Sequence, residues 1–510
     1  MLLKLSKYSL YLPLLSVVVV ATSTFFPFIG GKYYFFRVTV ELALIFFILW
    51  WAFEAREGEV ERLVRGVAAR PLFLAVSLFV LVFLLASVFA YDANGAFWSS
   101  FERGEGGFQM LHYYIFFFLL MALFREWKEW KIAFWVSIVA ALLMIAYGLF
   151  AYIQLTPWGH GIFCNTVTLD GTPRERCVGF ITPYSSGDPA KIPGTLWGLL
   201  SKERFQGALG NPAYVAPYLM FILFYVGYLW IKGSWKKEWI KHSIFALLAL
   251  VFLLFFVLSQ TRGAFLGLVA AFGIFLIYFS IFSKKYRKYT IGFIVFCVVI
   301  GGLLLNHGYR KILPGSLARP VDGFLESPLG SPLNRFLDLG FSEATARTRF
   351  WTWNSAWQGF KDRPILGWGP ENFSTVFDRH FDPRHFVPGQ NSETWFDRAH
   401  SVIFDYLSET GLLGLLSYLS VFVIFYWQFF RSVSLRTIRG NHDRENHAHR
   451  HEIILMGLVF VMPVAYLVQG LFLFDVLPIY LNLFFFLAFA DYLFSQHHNT
   501  GSRTLNSHIS

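Results

Sequence analysis

Apolar runs approaching twenty residues recur along this chain from one end to the other, and runs of that length decide its environment. A helix rises about 1.5 Å per residue, so ~20 apolar residues match a ~30 Å hydrocarbon layer. In lipid the backbone has no water to bond, which leaves helices or closed barrels as spanning structures. Charged residues are 15% of the chain, where a soluble protein carries about 25%. The expected fold is therefore an all-α, polytopic integral membrane protein. About twelve spans are predicted, near 9–28, 33–53, 71–91, 107–124, 132–153, 209–231, 243–258, 263–282, 290–305, 401–430, 452–474 and 477–494. They form one membrane domain covering 1–510, with no room for a separate soluble domain. The basic, apolar N-terminus reads as an uncleaved first helix, since further spans follow.

Orientation follows from lysine and arginine placement. Lys4, Lys7, Arg56, Arg62, Arg65, Arg70, Arg125, Lys128, Lys131, Lys232, Lys236, Lys237, Lys241 and Lys284 to Lys288 all fall in alternate, inner connections. The short outer connections hold only Lys32 and Arg103. Both termini are thus expected in the cytoplasm, and the His-rich stretch 442–451 in a solvated inner loop. The +11 net charge fits orientation and anionic headgroups, and calls for no nucleic acid.

Two outer loops are long, at 154–208 and 306–400, and the second lies between spans nine and ten as a cap. In the cap, Phe350, Trp353, Ala356, Trp357 and Phe360 recur at helical spacing, which predicts an amphipathic helix ended by Pro364 and the Gly367-Trp-Gly-Pro370 turn. Cys164 and Cys177 share the first loop, and a disulfide is expected there if it faces an oxidising compartment.

Three places on the outer side carry chemistry. Arg204 ends the first long loop. Arg262 lies in a tight reversal, Leu258-Ser-Gln-Thr-Arg262, between two spans. An arginine is always charged and grips phosphate oxygens with a planar fork, so this pair suits a lipid diphosphate. The third is His400, at the water–lipid boundary where the cap returns to a helix; its pKa range suits proton transfer from a hydroxyl. On one continuous helix, Glu409 would lie ~13 Å below His400, near mid-membrane, and would pair with a buried group such as Arg37. There is no Walker-type loop and no convincing metal-ligand set, although His380, Asp382 and His385 are grouped. No cofactor is expected.

These pieces resemble the O-antigen ligase and polymerase superfamily of bacterial membrane glycosyltransferases. The likeness is carried by Ser259-Gln-Thr-Arg-Gly263, Arg349-Phe-Trp-Thr-Trp353, Pro364-Ile-Leu-Gly-Trp-Gly-Pro-Glu-Asn-Phe373, His400-Ser401 and Glu409-Thr-Gly-Leu-Leu-Gly414, with Arg204-Phe-Gln-Gly-Ala-Leu-Gly-Asn-Pro-Ala-Tyr214 before them. Two positions depart from the family pattern: Ser401, where Asn is usual, and Thr261, where Ser is common. The resemblance implies transfer of a glycan from a polyprenyl (undecaprenyl) diphosphate carrier to an acceptor hydroxyl, on the outer face of the bacterial inner membrane. It implies inversion at the anomeric carbon without a metal. His400 would be catalytic, and Arg204, Arg262, Arg349 and Trp353 would bind substrate. Ligation, polysaccharide polymerisation and protein O-glycosylation share these motifs, so the acceptor is a glycolipid, a glycan or a protein. A lipid-glycan transporter is the alternative from another class.

Overall fold

The structure is a computed structural model. It describes the chain apart from residues 22–23, 25, 101–102, 156–163, 170–171, 178–203, 234–236, 284, 305–309, 311–313, 328–329, 331–333, 335–343, 387–393, 438–446 and 507–510. Helices dominate: α1 (Leu2–Ser9), α2 (Gly30–Phe53), α3 (Glu59–Ala68), α4 (Pro71–Val88), α5 (Ala93–Trp98), α6 (Gly107–Leu123) and α7 (Trp127–Leu155) precede a two-stranded hairpin, β1 (Cys164–Leu169) and β2 (Thr172–Cys177). After it come α8 (Pro212–Lys232), α9 (Glu238–Leu258), α10 (Arg262–Phe282) and α11 (Arg287–Leu304). The cap holds α12 (Gly315–Glu326), α13 (Ala344–Asp362) and α14 (Phe373–Arg379), and the chain closes with α15 (Val402–Glu409), α16 (Gly411–Thr437), α17 (His447–Gly470) and α18 (Leu477–Asn506).

Among the described residues nine helices are long and apolar enough to cross a membrane: α2, α4, α7, α8, α9, α10, α16, α17 and α18. Helix α6 is apolar but shorter. Helix α18 is the hub, with 89% of its apolar window buried against 22% for the peripheral α10. Lipid gives apolar helices no hydrophobic reason to associate, so close van der Waals packing must hold them. Aromatic rings supply it here. Phe134 of α7 stacks on Tyr225 of α8 at 4.6 Å and meets Phe489 of α18 edge-on at 4.8 Å.

The predicted first span is not one helix. Helix α1 stops at Ser9 and a 3-10 segment runs Leu12–Val18, because Pro13 lacks an N–H and disfavours helical geometry before it. The extended chain beyond is tied in from the side: the Lys32 ammonium donates to the carbonyls of Val19 and Ala208, at 2.5 and 2.7 Å.

The predicted span 401–430 is also broken. Helix α15 ends at Glu409, Gly411 adopts φ +66, and α16 begins there. Helix α16 has 27 residues, enough to span unaided, so Glu409 sits above the span, among the cap residues. A helix break orphans backbone groups, and the cap satisfies them. Trp368 and Gly369 donate to the carbonyls of Ser408 and Glu409, at 3.0 and 2.7 Å, while Leu412 and Leu413 donate to those of Pro364 and Ile365, at 2.8 and 3.2 Å.

The cap has a small core of its own, built from Ala356, Trp368, Phe373, Val376, Phe377, Phe396 and Ala399. The expected cap helix is present as α13, but its inward face differs. Thr352, Ser355 and Ala356 are buried, whereas Phe350 and Trp357 stay 48% and 45% exposed. The reason is close approach: a Cβ on Gly359 would meet Val376 at 2.2 Å, so small residues set this contact.

The hairpin register places Cys164 directly opposite Cys177. Thiol labelling of unreduced, denatured protein is expected to find one reactive cysteine, Cys297; three would exclude the bridge. Gly367 and Gly411 both have positive φ, and an added Cβ would fall 2.4 Å from backbone of Glu409 and Ile365 respectively. Gly367→Ala and Gly411→Ala are each expected to destabilise by at least about 1–3 kcal/mol, read as a lower melting temperature. Gly292→Ala, where nothing lies within 4 Å, should leave it unchanged or raised.

Candidate active site

Four consecutive residues, 397–400, run between the cap and α15, and each is held by a different part of the chain. Asp397 takes a two-pronged ion pair from Arg103, Nε to Oδ2 at 2.6 Å and Nη2 to Oδ1 at 2.8 Å. Arg103 also donates to the Tyr214 hydroxyl at 3.0 Å. Arg398 is buried between two carboxylates, donating to Glu371 of the cap turn and to Glu409 at 3.1 and 3.2 Å. The Ala399 amide donates to Asp405 at 2.7 Å, and its carbonyl accepts from the Trp353 indole at 2.9 Å.

His400 follows at φ +57, a left-handed backbone that non-glycine residues adopt only under constraint. Its Nδ1 lies 3.1 Å from the Arg398 carbonyl. A carbonyl only accepts, so Nδ1 carries the proton and Nε2 keeps its lone pair. The ring is wedged edge-on between Phe396 at 5.4 Å and Phe474 at 5.2 Å. Burial pushes its pKa down to about 4; the Arg349 and Arg103 charges add to this, while the bond to the Arg398 carbonyl and the Asp397 charge oppose it. His400 is therefore neutral near pH 7, with an acceptor nitrogen.

The second cluster is the reversal between α9 and α10. Gln260 takes φ +52 there, and Thr261 precedes Arg262, the first residue of α10. Arg204 reaches this turn from the preceding loop, donating from Nε to the Ser259 carbonyl at 3.0 Å and from Nη2 to Thr261 Oγ1 at 3.2 Å. Thr261 in turn donates to the Pro212 carbonyl at 3.0 Å. Arg204 and Arg262 thus meet at one turn, at the positive end of the α10 dipole.

The connection between α17 and α18 joins the two clusters. Phe472 packs where a Cβ on Gly263 would stand, at 2.9 Å, and two residues later Phe474 lies against His400. The Leu473 carbonyl between them accepts from Val402 at 3.2 Å.

Of the sequence-predicted residues, the structure gathers Arg349, Trp353 and His400 in one cluster and Arg204 and Arg262 in the other. Trp353 is half-buried, its N–H engaged by the Ala399 carbonyl and its ring stacked on Phe404 at 5.1 Å. The expectation for Glu409 needs correcting: its partner is Arg398, because the helix breaks and the cap folds over it. Arg37 instead bonds Gln109 at 2.7 Å and the Gly104 carbonyl at 3.1 Å. His380, Asp382 and His385 go separate ways. His380 bonds Asp362 at 2.8 Å, Asp382 holds Arg384, and His385 sits among the rings of Trp351, Phe377, Phe381 and Phe396. Sequence reading assigned no role to Arg103, Asp397, Arg398, Glu371 or Phe474. Only Arg103 carried a signal, as one of very few basic residues in the short outer connections.

Most of helix α9, the 258–262 turn, the cap, His400 and the start of α16 fall within residues 244–419, which match the family model for O-antigen ligase. That segment is an O-antigen ligase domain. Over that segment the chain is O-antigen ligase-like, and its many apolar helices are those of a multi-pass membrane protein. No curated protein matches the chain. The ligase domain contributes Arg262, Arg349, Trp353, Asp397 and His400, while Arg103, Arg204, Tyr214 and Phe474 lie outside it.

Removing Arg398 would strand Glu371 and Glu409 together in a buried site. Breaking a buried pair in this way costs about 3–5 kcal/mol, so Arg398→Ala is expected to lower the melting temperature sharply. Arg398→Ala combined with Glu371→Gln and Glu409→Gln should recover most of the loss.

Proposed function

We propose that this O-antigen ligase-like enzyme transfers a glycan from a polyprenyl diphosphate carrier to an acceptor hydroxyl, on the outer face of the bacterial inner membrane. The observation that carries the reading is the His400 ring, with Nδ1 committed to a carbonyl and Nε2 left as a proton acceptor. In the proposed step the acceptor O–H gives its proton to His400 Nε2. The acceptor oxygen bonds the anomeric carbon as the bond from that carbon to the diphosphate oxygen breaks. The electron pair leaves with the diphosphate, whose charge is met by Arg204, Arg262 and the N-terminus of α10. A single displacement of this kind inverts the anomeric centre and uses no metal.

Arg349 and Arg103 both hold the His400 pKa down. In this reading a bound anionic donor offsets them, so the base strengthens once donor is in place. Trp353 and Phe404 fix the Ala399–His400 backbone against the cap, and substrate meets Trp353 at its exposed edge.

Support for the sidedness comes from the far end of the bundle. Glu54 binds the N-terminal amine at 2.7 Å, and Arg70 pairs with Asp491 at 2.6 Å. These contacts lie at the opposite ends of α2, α4 and α18 from the His400 site.

His400→Asn tests the mechanism, because Asn tolerates the left-handed backbone. It should fold and bind donor, yet lose about 10²–10⁴-fold in turnover; near-parental transfer would overturn the base assignment. Arg204→Ala and Arg262→Ala should each cost about 10- to 100-fold in donor use, as for a charged hydrogen bond of roughly 1.5–3 kcal/mol. Chelator should change nothing. Because neutral His400 is the active form, rate falls as pH drops through its pKa. The acid limb of kcat/KM, which reports free enzyme, should lie near 4, and that of kcat at higher pH. Arg349→Gln should move the kcat/KM limb upward.

A further inference from the structure

A second site lies at the other end of the bundle. There α8 and α10 finish while α9, α11 and α17 begin, one 21-residue helix length (~30 Å) from the turn that carries Arg262. These helix ends enclose a groove of about 680 Å³. Its walls are apolar and aromatic, from Trp230, Phe275, Phe279, Phe293 and Ile454. Its rim is basic, from Lys241, His242, Arg450 and His451, and among the described residues no carboxylate lines it. Glu238 stands nearby, 2.8 Å from Lys241 and 3.9 Å from His242. Glu452 lines a separate pocket with Lys232 and Tyr492. Arg450 donates to the Tyr286 hydroxyl at 3.2 Å, which holds its guanidinium at the groove mouth.

Helix α11 packs along α10 and leaves its other faces open, with Phe296 and Val298 58% and 68% exposed. In a bilayer such surface meets lipid, so the groove opens sideways into the hydrocarbon layer. Its aromatic walls give water few partners, and a space of this size suits an acyl chain. The basic rim selects the headgroup. Clustered Lys and Arg between helices at this level attract anionic lipid.

We propose that the groove binds an anionic phospholipid, one acyl chain lying between α9 and α11 and its phosphate at Arg450 and Lys241. On the orientation proposed above, the lipid comes from the cytoplasmic leaflet. The site does not depend on the glycan-transfer reading.

The test is native mass spectrometry of the full-length protein in mild detergent, given equimolar phosphatidylglycerol and phosphatidylcholine with identical acyl chains. Phosphatidylglycerol adducts should dominate by about 25-fold, about 5-fold for each of the two rim charges. The Lys241→Gln, Arg450→Gln double variant should lose that preference, at about 5-fold per charge removed. Leu276→Trp, which fills the groove wall, should reduce phosphatidylglycerol adducts with the rim charges intact. Equal retention of the two lipids by the parent protein would overturn the proposal. So would phosphatidylglycerol retention unchanged in the double variant.

Discussion

The arrangement around His400 depends on one buried cation. Arg398 lies between Glu371, on the cap turn, and Glu409, at the last residue of α15. An arginine in such a place is stable only when its charge is matched, and each carboxylate is stable only because the arginine is there. The three groups fix the cap turn, the end of α15 and the segment entering His400 relative to one another. The Arg398 carbonyl then sets the His400 tautomer.

The break at Thr410–Gly411 makes this possible. A continuous helix would satisfy its own backbone and present nothing to the cap. Interrupting it frees donors and acceptors that only the 364–369 turn can meet, and that docking brings Glu371 and Glu409 around Arg398. Glycine at 367 and 411 permits the close approach. Non-helical backbone at this level is tolerated because protein covers it.

The ligase-like segment alone does not complete the proposed site. Arg103 comes from the connection before α6 and neutralises Asp397, while Tyr214 and Phe474 come from α8 and the loop before α18. The O-antigen ligase-like segment therefore sits inside a shell that the rest of the bundle supplies. That shell sets the electrostatics: burial and two arginines keep His400 neutral, against the pull of Asp397.

The sequence by itself determined the membrane class, the position of most apolar helices, the 258–262 reversal and the arginines and histidine of interest. Those features are local: a twenty-residue apolar run, a short polar turn or a basic residue at a span end is visible without knowing its neighbours. The first apolar stretch misled because a window of hydropathy does not register that Pro13 removes a donor. The 401–430 run misled for the same kind of reason, since apolar character continues straight through Gly411. What only the tertiary structure decided was pairing. Arg103 and Asp397 are 294 positions apart, and Glu371 and Glu409 meet Arg398 only because the cap folds back over a broken helix. Ion pairs of that range leave no periodicity in a chain, and they hold the segment on which His400 takes a left-handed backbone with Nδ1 on the Arg398 carbonyl.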